Sequence, residues 1–588
     1  MNIQTLVKPN VYYDSLVLMH LNNQLLKMPG VHKAIVMMAT KQNLATIKNQ
    51  GLITEEMNQP HPNHLIIVVA ADGQEESQAA ITKALSYLEN KLTQEAHITF
   101  KYKTLDAAIR NMPGVNMVSI SLPGNYAGVE ARRALEAGLH VFLFSDNVPL
   151  QEEIDLKKLA LEKKRICMGP DCGTAIIGGA YLGFANAVRK GSIGVVGASG
   201  TGIQEATTLV HRLGSGISHA IGTGGRDVSI YVKGVTFLTG LEFLARDPST
   251  KVILIVSKPP SSAVKEKVME LVKKIGKPVV VNMIGSTTTE YETGNTFMAE
   301  TIEDAALMAV TLDRGQTPLL YHEEELKALA ASENARLMPS QIYFRGLFSG
   351  GSFANETAML LQSSLKEVYG NISLPGVLPL KDPLISIRHT CLDMGDDIFT
   401  VGKPHPILAP SLRYQRMLTE AADPSTGVLY LDVVLGFGCH PDPATEFAEY
   451  IQEAKEIAKK GGRHLPVIIC VIGVEEDPQV YSKQIKILRD AGALVAPTNA
   501  AATNFAIGIL TRCYPERKTI KVHSLSTSDG LELQDLSFGL PEQANVINLG
   551  LEIFAKSLRA QKVPVIHVNF QPPAGGNESI AKILDDLL

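Results

Sequence analysis

The 588 residues are 45% hydrophobic and 20% charged, contain no Trp, and carry a net charge of −5 with a pI near 6.3. A chain this long exceeds one core and holds enough apolar material for three or four. Its slightly acidic balance argues against nucleic acid or anionic lipid as a partner, while leaving room for a local positive pocket. Six cysteines, at 167, 172, 391, 439, 470 and 513, form no CxxC pair, which predicts reduced thiols in a cytoplasmic protein. The opening MNIQTLVKPNVYYDSLVLMHL lacks the basic-then-apolar layout of a signal peptide. No apolar run reaches the roughly 18 residues of a membrane helix.

In chain order, residues 1–95 predict an α+β, ferredoxin-like unit. Its strands are expected at Lys33–Ala39 and His64–Ala70, and its helices at Ser15–Lys27 and Glu75–Leu92. Residues 96–187 predict a Rossmann-like unit with strands at Val115–Leu122, His140–Phe144 and Arg165–Met168. Residues 188–315 predict a flavodoxin-like unit with strands at Ile193–Gly197, His219–Gly222, Lys251–Val256 and Pro278–Met283. A charged helical linker occupies 316–339, and a second flavodoxin-like unit fills 340–588. Strands alternating with amphipathic helices predict parallel α/β sheets.

The third and fourth units share a plan. GVVGASGTGIQEATTL is matched by FRGLFSGGSFANETAML, and VILIVSKPPSSAVKEKVMELVKKIGKPVVVNMIG by VLYLDVVLGFGCHPDPATEFAEYIQEAKEIAKK with LPVIICVIG. Four elements in matched order point to a pseudo-repeat.

Ligands of open parallel sheets bind beyond the carboxyl ends of the strands, so the chemistry is sought in those loops. Gly197-Ala198-Ser199-Gly200-Thr201-Gly202 ends a strand and opens a helix. Its free N–H groups and helix dipole suit an anion, although no Lys-Ser/Thr pair makes it a Walker loop. Gly346-Leu347-Phe348-Ser349-Gly350-Gly351-Ser352 is the second copy, and two such starts aimed at one point would double the anion site. Ser199, Gly200, Thr201, Gly202, Ser349, Gly350, Gly351 and Ser352 are therefore the expected phosphate binders. Asp171 and Thr174, in Gly169-Pro170-Asp171-Cys172-Gly173-Thr174, are expected to orient the substrate, and Lys258 of Ser257-Lys258-Pro259-Pro260 to meet a phosphate oxygen. Cys172, Gly173, Arg226, Gly436, Gly438 and His405 complete the expected substrate contacts. Cys172 has no His at a nucleophile-defining spacing. Asp396 and Asp397, near Lys403, Pro404 and His405, read as solvated loop acids, and no metal is expected.

At these residues the chain resembles known proteins. GPDCGT, GSIGVVGASGTGIQEA and GTGGRD, between about 105 and 310, resemble the α subunit of succinyl-CoA synthetase in loop order. SGGSFANE, LDMGDD and LDVVLGFG resemble the carboxyl-terminal ligase domain of its β subunit. With MGPDCGT, IGVVGASGTGIQE, VSKPP and TVGKPHP in one fused chain, the sequence resembles the FdrA family over nearly its whole length. That resemblance implies one of two activities. One is acyl-CoA synthesis; the other is service as an AllF-type subunit of oxamate carbamoyltransferase, beside two other subunits, in anaerobic allantoin breakdown.

Departures from the synthetase pattern separate the two. The stretch that would carry the phosphorylated His reads NMIGSTTTEYETGNTFMAETIEDAA, without a His. No CoA-binding Gly loop is found near the start of the second unit, and no ATP-grasp-sized region is present. Lys258 stands where the synthetases have an acid. The expected function is therefore carbamoyl transfer between oxamate, or a related ureido acid, and phosphate. Carbamoyl phosphate is the expected co-substrate and two other carbamoyltransferase subunits the expected partners, a homodimer being the other possibility. An acyl-CoA synthetase using CoA and ATP/ADP is the alternative, and a non-catalytic subunit binding a phosphorylated metabolite is the third.

Overall fold

The computed structural model describes residues 2–571 except 10, 12, 14, scattered positions between 40 and 63, and the stretches 98–101, 286–293, 401–403, 517–521 and 523–538. Most of the Thr54–Asn63 bridge, Lys403 and residues 286–293 of the His-free stretch fall outside the described residues.

Strands β1 (Asn2–Lys8), β2 (Val31–Met38) and β3 (Leu65–Ala71) form an antiparallel sheet in the order β1-β3-β2. Every residue of β3 is buried between two apolar clusters, as the central strand of a small α+β unit requires. Strands β4 (Met117–Ile120), β5 (His140–Leu143) and β6 (Cys167–Met168) are parallel and belong to the next sheet.

The third unit holds β7 (Thr174–Ile177), β8 (Ala180–Gly183), β9 (Lys190–Gly197), β10 (Ile217–Gly222), β11 (Val252–Ser257), β12 (Val279–Met283) and β13 (Thr296–Met298), ordered β13-β12-β11-β9-β10-β7-β8. The fourth holds β14 (Tyr343–Phe348), β15 (Val368–Gly370), β16 (Leu378–Pro379), β17 (His389–Asp393), β18 (Thr426–Val434), β19 (Val467–Ile472) and β20 (Leu494–Ala496), ordered β16-β15-β17-β14-β18-β19-β20. Aligning β9 with β14 makes the parallel parts identical: 13-12-11-9-10 against 20-19-18-14-17. The pseudo-repeat read from sequence is present in the topology. All nine residues of β18 are buried, the signature of a parallel strand covered on both faces. The α/β class is as expected, and among the described residues no helix is long and apolar enough to cross a membrane.

Two connections depart from the expected layout. The hairpin β7–β8 falls in the range expected for the second unit yet joins the third unit's sheet through β10. The last strands, β21 (Val546–Leu549) and β22 (Val565–Val568), leave the fourth unit's sheet and join the second unit in the order β22-β21-β4-β5-β6. All neighbours are parallel, with Val546 paired to Met117. The strand direction of progression reverses between β21 and β4, a topological switch point. Gly550 ends β21 with φ +107, and a Cβ there would lie 2.6 Å from the Ser121 carbonyl. Ser121 in turn donates its N–H to Leu549 O at 2.8 Å and accepts Leu551 N–H on Oγ at 2.8 Å.

Gly550→Ala is expected to cost about 1–3 kcal/mol through forced left-handed backbone and the clash with Ser121. Chemical denaturation checks this; a midpoint within error of the parent would show that the β21–β4 junction yields freely.

Candidate functional site

The Gly200–Arg212 helix and the Gly351–Gln362 helix start against each other. Ser199 Oγ and Ser352 Oγ are 2.5 Å apart, across the boundary between the two halves. A Cβ on Gly350 would lie 3.0 Å from Thr201, so this close approach needs a residue without a side chain there. Neither Ser199 nor Gly350, the two N-cap residues, makes a side-chain capping bond. Ser199, Thr201 and Ser352 are buried, and the two sets of N–H groups face one shared region.

Each helix also carries a glutamate five residues in that reaches the opposite half. Glu356 Oε1 accepts Ile302 N–H at 2.6 Å, at the start of the Ile302–Arg314 helix, and its Oε2 accepts Asn499 Nδ2 at 2.7 Å. Glu205 Oε1 accepts Asn499 N–H at 3.2 Å, at the start of the Asn499–Thr511 helix. Burial pushes these carboxyls up, Glu205 to about 8 and Glu356 to about 7. The interlock obeys the pseudo-twofold relation of the halves and holds the helix starts in place.

Around the starts lie charged groups from three strand ends. A Cβ on Gly225 would sit 2.5 Å from Lys258 Nζ and 3.3 Å from Asp171 Oδ2, which places Lys258 beside Asp171. Asp171 adopts φ +56, uncommon for a non-glycine, and its N–H donates to Ser145 O at 2.9 Å. Its carboxyl touches solvent at the mouth of the cleft yet has protein walls around it, and burial lifts it to about 6 against the pull of Lys258. Asp393, the last residue of β17, sits where a Cβ on Gly351 would come within 2.8 Å of its Oδ2. Burial pushes Asp393 up to about 7, with the Gly395 N–H and Lys258 opposing and Asp396 and Asp171 adding repulsion. Asp393 is a strand-end acid facing a helix start, and its position alone, the last residue of a parallel strand, was the available sequence signal.

Other expected site residues are already committed. Ser349 gives its N–H to Asp432 Oδ1 at 2.7 Å and its hydroxyl to Asp432 Oδ2, and Asp432 is paired with Arg413. Thr174 Oγ1 donates to Phe184 O at 2.8 Å. Cys172 is 2% exposed and burial pushes its thiol up to about 12, so it is a core residue rather than a substrate contact. Gly173 lies near the Gly200 helix start. Arg226 pairs through Nε with Glu153 Oε2 at 2.8 Å and donates to Val148 O at 2.6 Å. Gly436 and Gly438 dock on the β8 end, their would-be Cβ atoms 2.6 and 2.5 Å from Ala185 O and Gly183 O. His405 reaches Gly395, its Nε2 3.0 Å from the would-be Cβ. Its Nδ1 accepts Ile407 N–H at 3.2 Å and burial holds the ring down to about 4. The neutral ring therefore carries its proton on Nε2. Among the described residues no group of three or more His, Cys, Asp or Glu is placed to hold a metal ion.

Family comparisons now bear on this geometry. A CoA-ligase model matches residues 347–509, a CoA-binding-domain model matches 188–285, and the AllF heavy-metal-associated domain model matches 1–102. The uncharacterized protein YahF of Escherichia coli is 41% identical over 512 residues, covering 87% of this chain and 98% of YahF. The chain belongs to the FdrA/AllF-type family of succinyl-CoA synthetase-like proteins. This FdrA/AllF-type chain is also 29% identical over 197 residues to succinate–CoA ligase subunit alpha 1 of Archaeoglobus fulgidus, covering 33% of this chain and 66% of that subunit. To the sulfoacetate–CoA ligase subunit SqwL of an Acholeplasma species it is 31% identical over 163 residues, covering 26% and 53%. It thus spans less than two thirds of either ligase subunit.

One expectation is corrected by these findings. Carbamoyltransferase activity is overturned, because the matched domains and the relatives of named activity are CoA ligases. The CoA-binding match lies in the third unit and spans the Gly197–Gly202 turn, outside the second unit where a CoA-binding loop was sought. Positions 1–102 contain no Cys, so the first unit offers no thiolate pair for a soft metal.

Asp171 and Asp393 bind a proton more tightly folded than unfolded, where a carboxyl titrates near about 3.9. Folding therefore takes up protons between about pH 4 and pH 7, and their contribution to stability is lost as pH rises through that window. Asp393→Asn, which keeps an acceptor for Gly395, is expected to raise the thermal midpoint at pH 8 and leave it nearly unchanged at pH 4. Equal gains at both pH values would contradict a burial-driven shift.

Proposed function

We propose that this chain performs CoA-ligase-type acyl transfer, exchanging an acyl group between phosphate and the thiol of CoA. The observation that carries the reading is the 2.5 Å contact of Ser199 with Ser352. It aims two helix starts, each a site for a phosphate oxygen, at one guest. The ligase relatives and the CoA-ligase and CoA-binding matches support CoA as the second substrate.

The phosphate remains free in this reading. A protein-bound phosphohistidine needs an imidazole lone pair directed at the helix starts. The stretch 284–301, where the synthetase pattern has its phosphorylated His, contains no His. Lys258 supplies the positive charge for a doubly charged phosphate. In the forward direction the CoA sulfur attacks the acyl carbon of an acyl phosphate, and the carbon–oxygen bond to phosphorus breaks. The electron pair leaves with the phosphate, which the N–H groups of residues 200–202 and 351–352 and Lys258 stabilise. Asp171, lifted toward neutrality, accepts the thiol proton. The nucleotide-dependent step that makes the acyl phosphate belongs to partner chains in a hetero-oligomer. The β21–β4 switch point is where the nucleotide end of CoA would lie, by the general rule for open parallel sheets.

Purified chain is assayed for phosphate release from acetyl, succinyl and other acyl phosphates with CoA, and in parallel for ADP formation from ATP, carboxylate and CoA. CoA-dependent phosphate release without nucleotide supports the reading; its absence with every acyl phosphate, alone and with partner subunits, rejects it. Lys258→Ala is expected to raise the KM for acyl phosphate by about 10- to 100-fold, the worth of one charge-assisted hydrogen bond, with a smaller fall in kcat. An unaltered KM removes Lys258 from the site.

A further inference from the structure

A cavity of about 690 Å3 opens at the amino-terminal edge of the third unit's sheet. It lies at the far ends of the strands whose carboxyl ends carry the helix start and Arg226. Strand β9 runs from Lys190 in the cavity to Gly197 at the site, and β10 from Ile217 and His219 to Gly222. The β7–β8 hairpin does the same, from Thr174 beside the site to its Gly178–Gly179 turn in the cavity wall. No comparison assigns a ligand to this place.

The walls combine an apolar body with a charged end. Phe243, Leu540 and Ile217 form the apolar side, while Lys190 and the Arg246 guanidinium line the other. His219 is 9% exposed, stands edge-on to Phe243 at 5.4 Å, and its Nδ1 has no hydrogen-bond partner among the described residues. An unpaired buried ring nitrogen costs free energy that a ligand polar group would recover. Of the two acids at the cavity, Asp247 accepts from Ser249 and Thr250 and its Oδ2 lies 3.9 Å from His219 Nε2, which leaves only Nδ1 of that ring for a ligand. Glu542 stands exposed at the rim. The volume is that of pockets that enclose small organic molecules.

We propose that this cavity is a second small-molecule site, taking a compact organic carboxylate whose apolar body lies on Phe243 and Leu540 and whose charge meets Lys190, Arg246 and His219. It is separate from the paired helix starts and connected to them by three strands, the placement of an effector site.

Isothermal titration of the full chain with phenylacetate tests the idea, with phenethylamine and benzyl alcohol as the cationic and neutral counterparts. Saturable phenylacetate binding is expected, undiminished by excess inorganic phosphate and stronger than that of either counterpart. Lys190→Glu should weaken it about three- to five-fold, as for a partly exposed charge pair. Gln543→Trp, at the exposed rim, should fill the cavity and abolish it. Circular dichroism confirms that both variants, changed at exposed positions, remain folded. The proposal is overturned by absence of saturable phenylacetate binding, by displacement with phosphate, by equal binding of phenethylamine, or by indifference to both substitutions. Because phosphate competes only at the helix starts, failure here leaves the acyl-transfer reading untouched.

Discussion

Two helix starts are forced together in this protein, and most of its architecture serves that contact. Helix amino termini carry like partial charges, so meeting head to head is unfavourable unless something negative lies between them or the surroundings hold them there. Here the surroundings do hold them. Glu205 and Glu356 each leave their own half to accept the first N–H of the opposing half's last helix, and Asn499 sits between both carboxylates. The unusual closeness at Ser199 and Ser352 is therefore maintained by a crossed set of buried acceptors rather than by the turns themselves. A preorganised electropositive point of this kind costs no rearrangement when an anion arrives.

The second and third units are locked by a different device. Lys157, 1% exposed, reaches from the Leu150–Glu162 helix to Asp227 Oδ1 at 2.6 Å, Thr223 O at 3.0 Å and Glu153 at 3.4 Å. Asp227 spends its remaining capacity on the N–H groups of Thr236 and Phe237, and Glu153 holds Arg226. A buried cation with three acceptors fixes the Gly222–Asp227 loop against the Leu150–Glu162 helix. Removing one partner would leave charge without compensation. The side chains that line the cleft are thus oriented by ion pairs that no substrate touches.

Much of this was legible in the sequence where the signal was local. Near-continuous apolar strands followed by Gly/Ser turns gave the parallel sheets, and the matched order of elements gave the pseudo-repeat that the strand orders reproduce. What the sequence could not resolve was long-range choice. Ser349, Thr174 and Arg226 are polar loop residues like Ser199 and Lys258, and only tertiary contacts reveal that Asp432, Phe184 O and Glu153 have claimed them. Asp393 was passed over for its louder neighbours Asp396 and Asp397. Strand β21 looked like a continuation of the fourth unit because nothing within Val546–Leu549 specifies which sheet edge it joins.

That last assignment bears on biosynthesis. Strand β4 waits for a neighbour more than four hundred residues downstream. At translation rates of about 5–20 residues per second, the β4 edge stays open for roughly 20 to 90 s after its own synthesis. During that interval Met117, Val118 and Ile120, fully buried in the finished molecule, have no β21 to cover their strand. The second unit therefore matures last although it is translated early, and the nascent chain is most vulnerable to wrong pairing in its first quarter, at β4, rather than at its end.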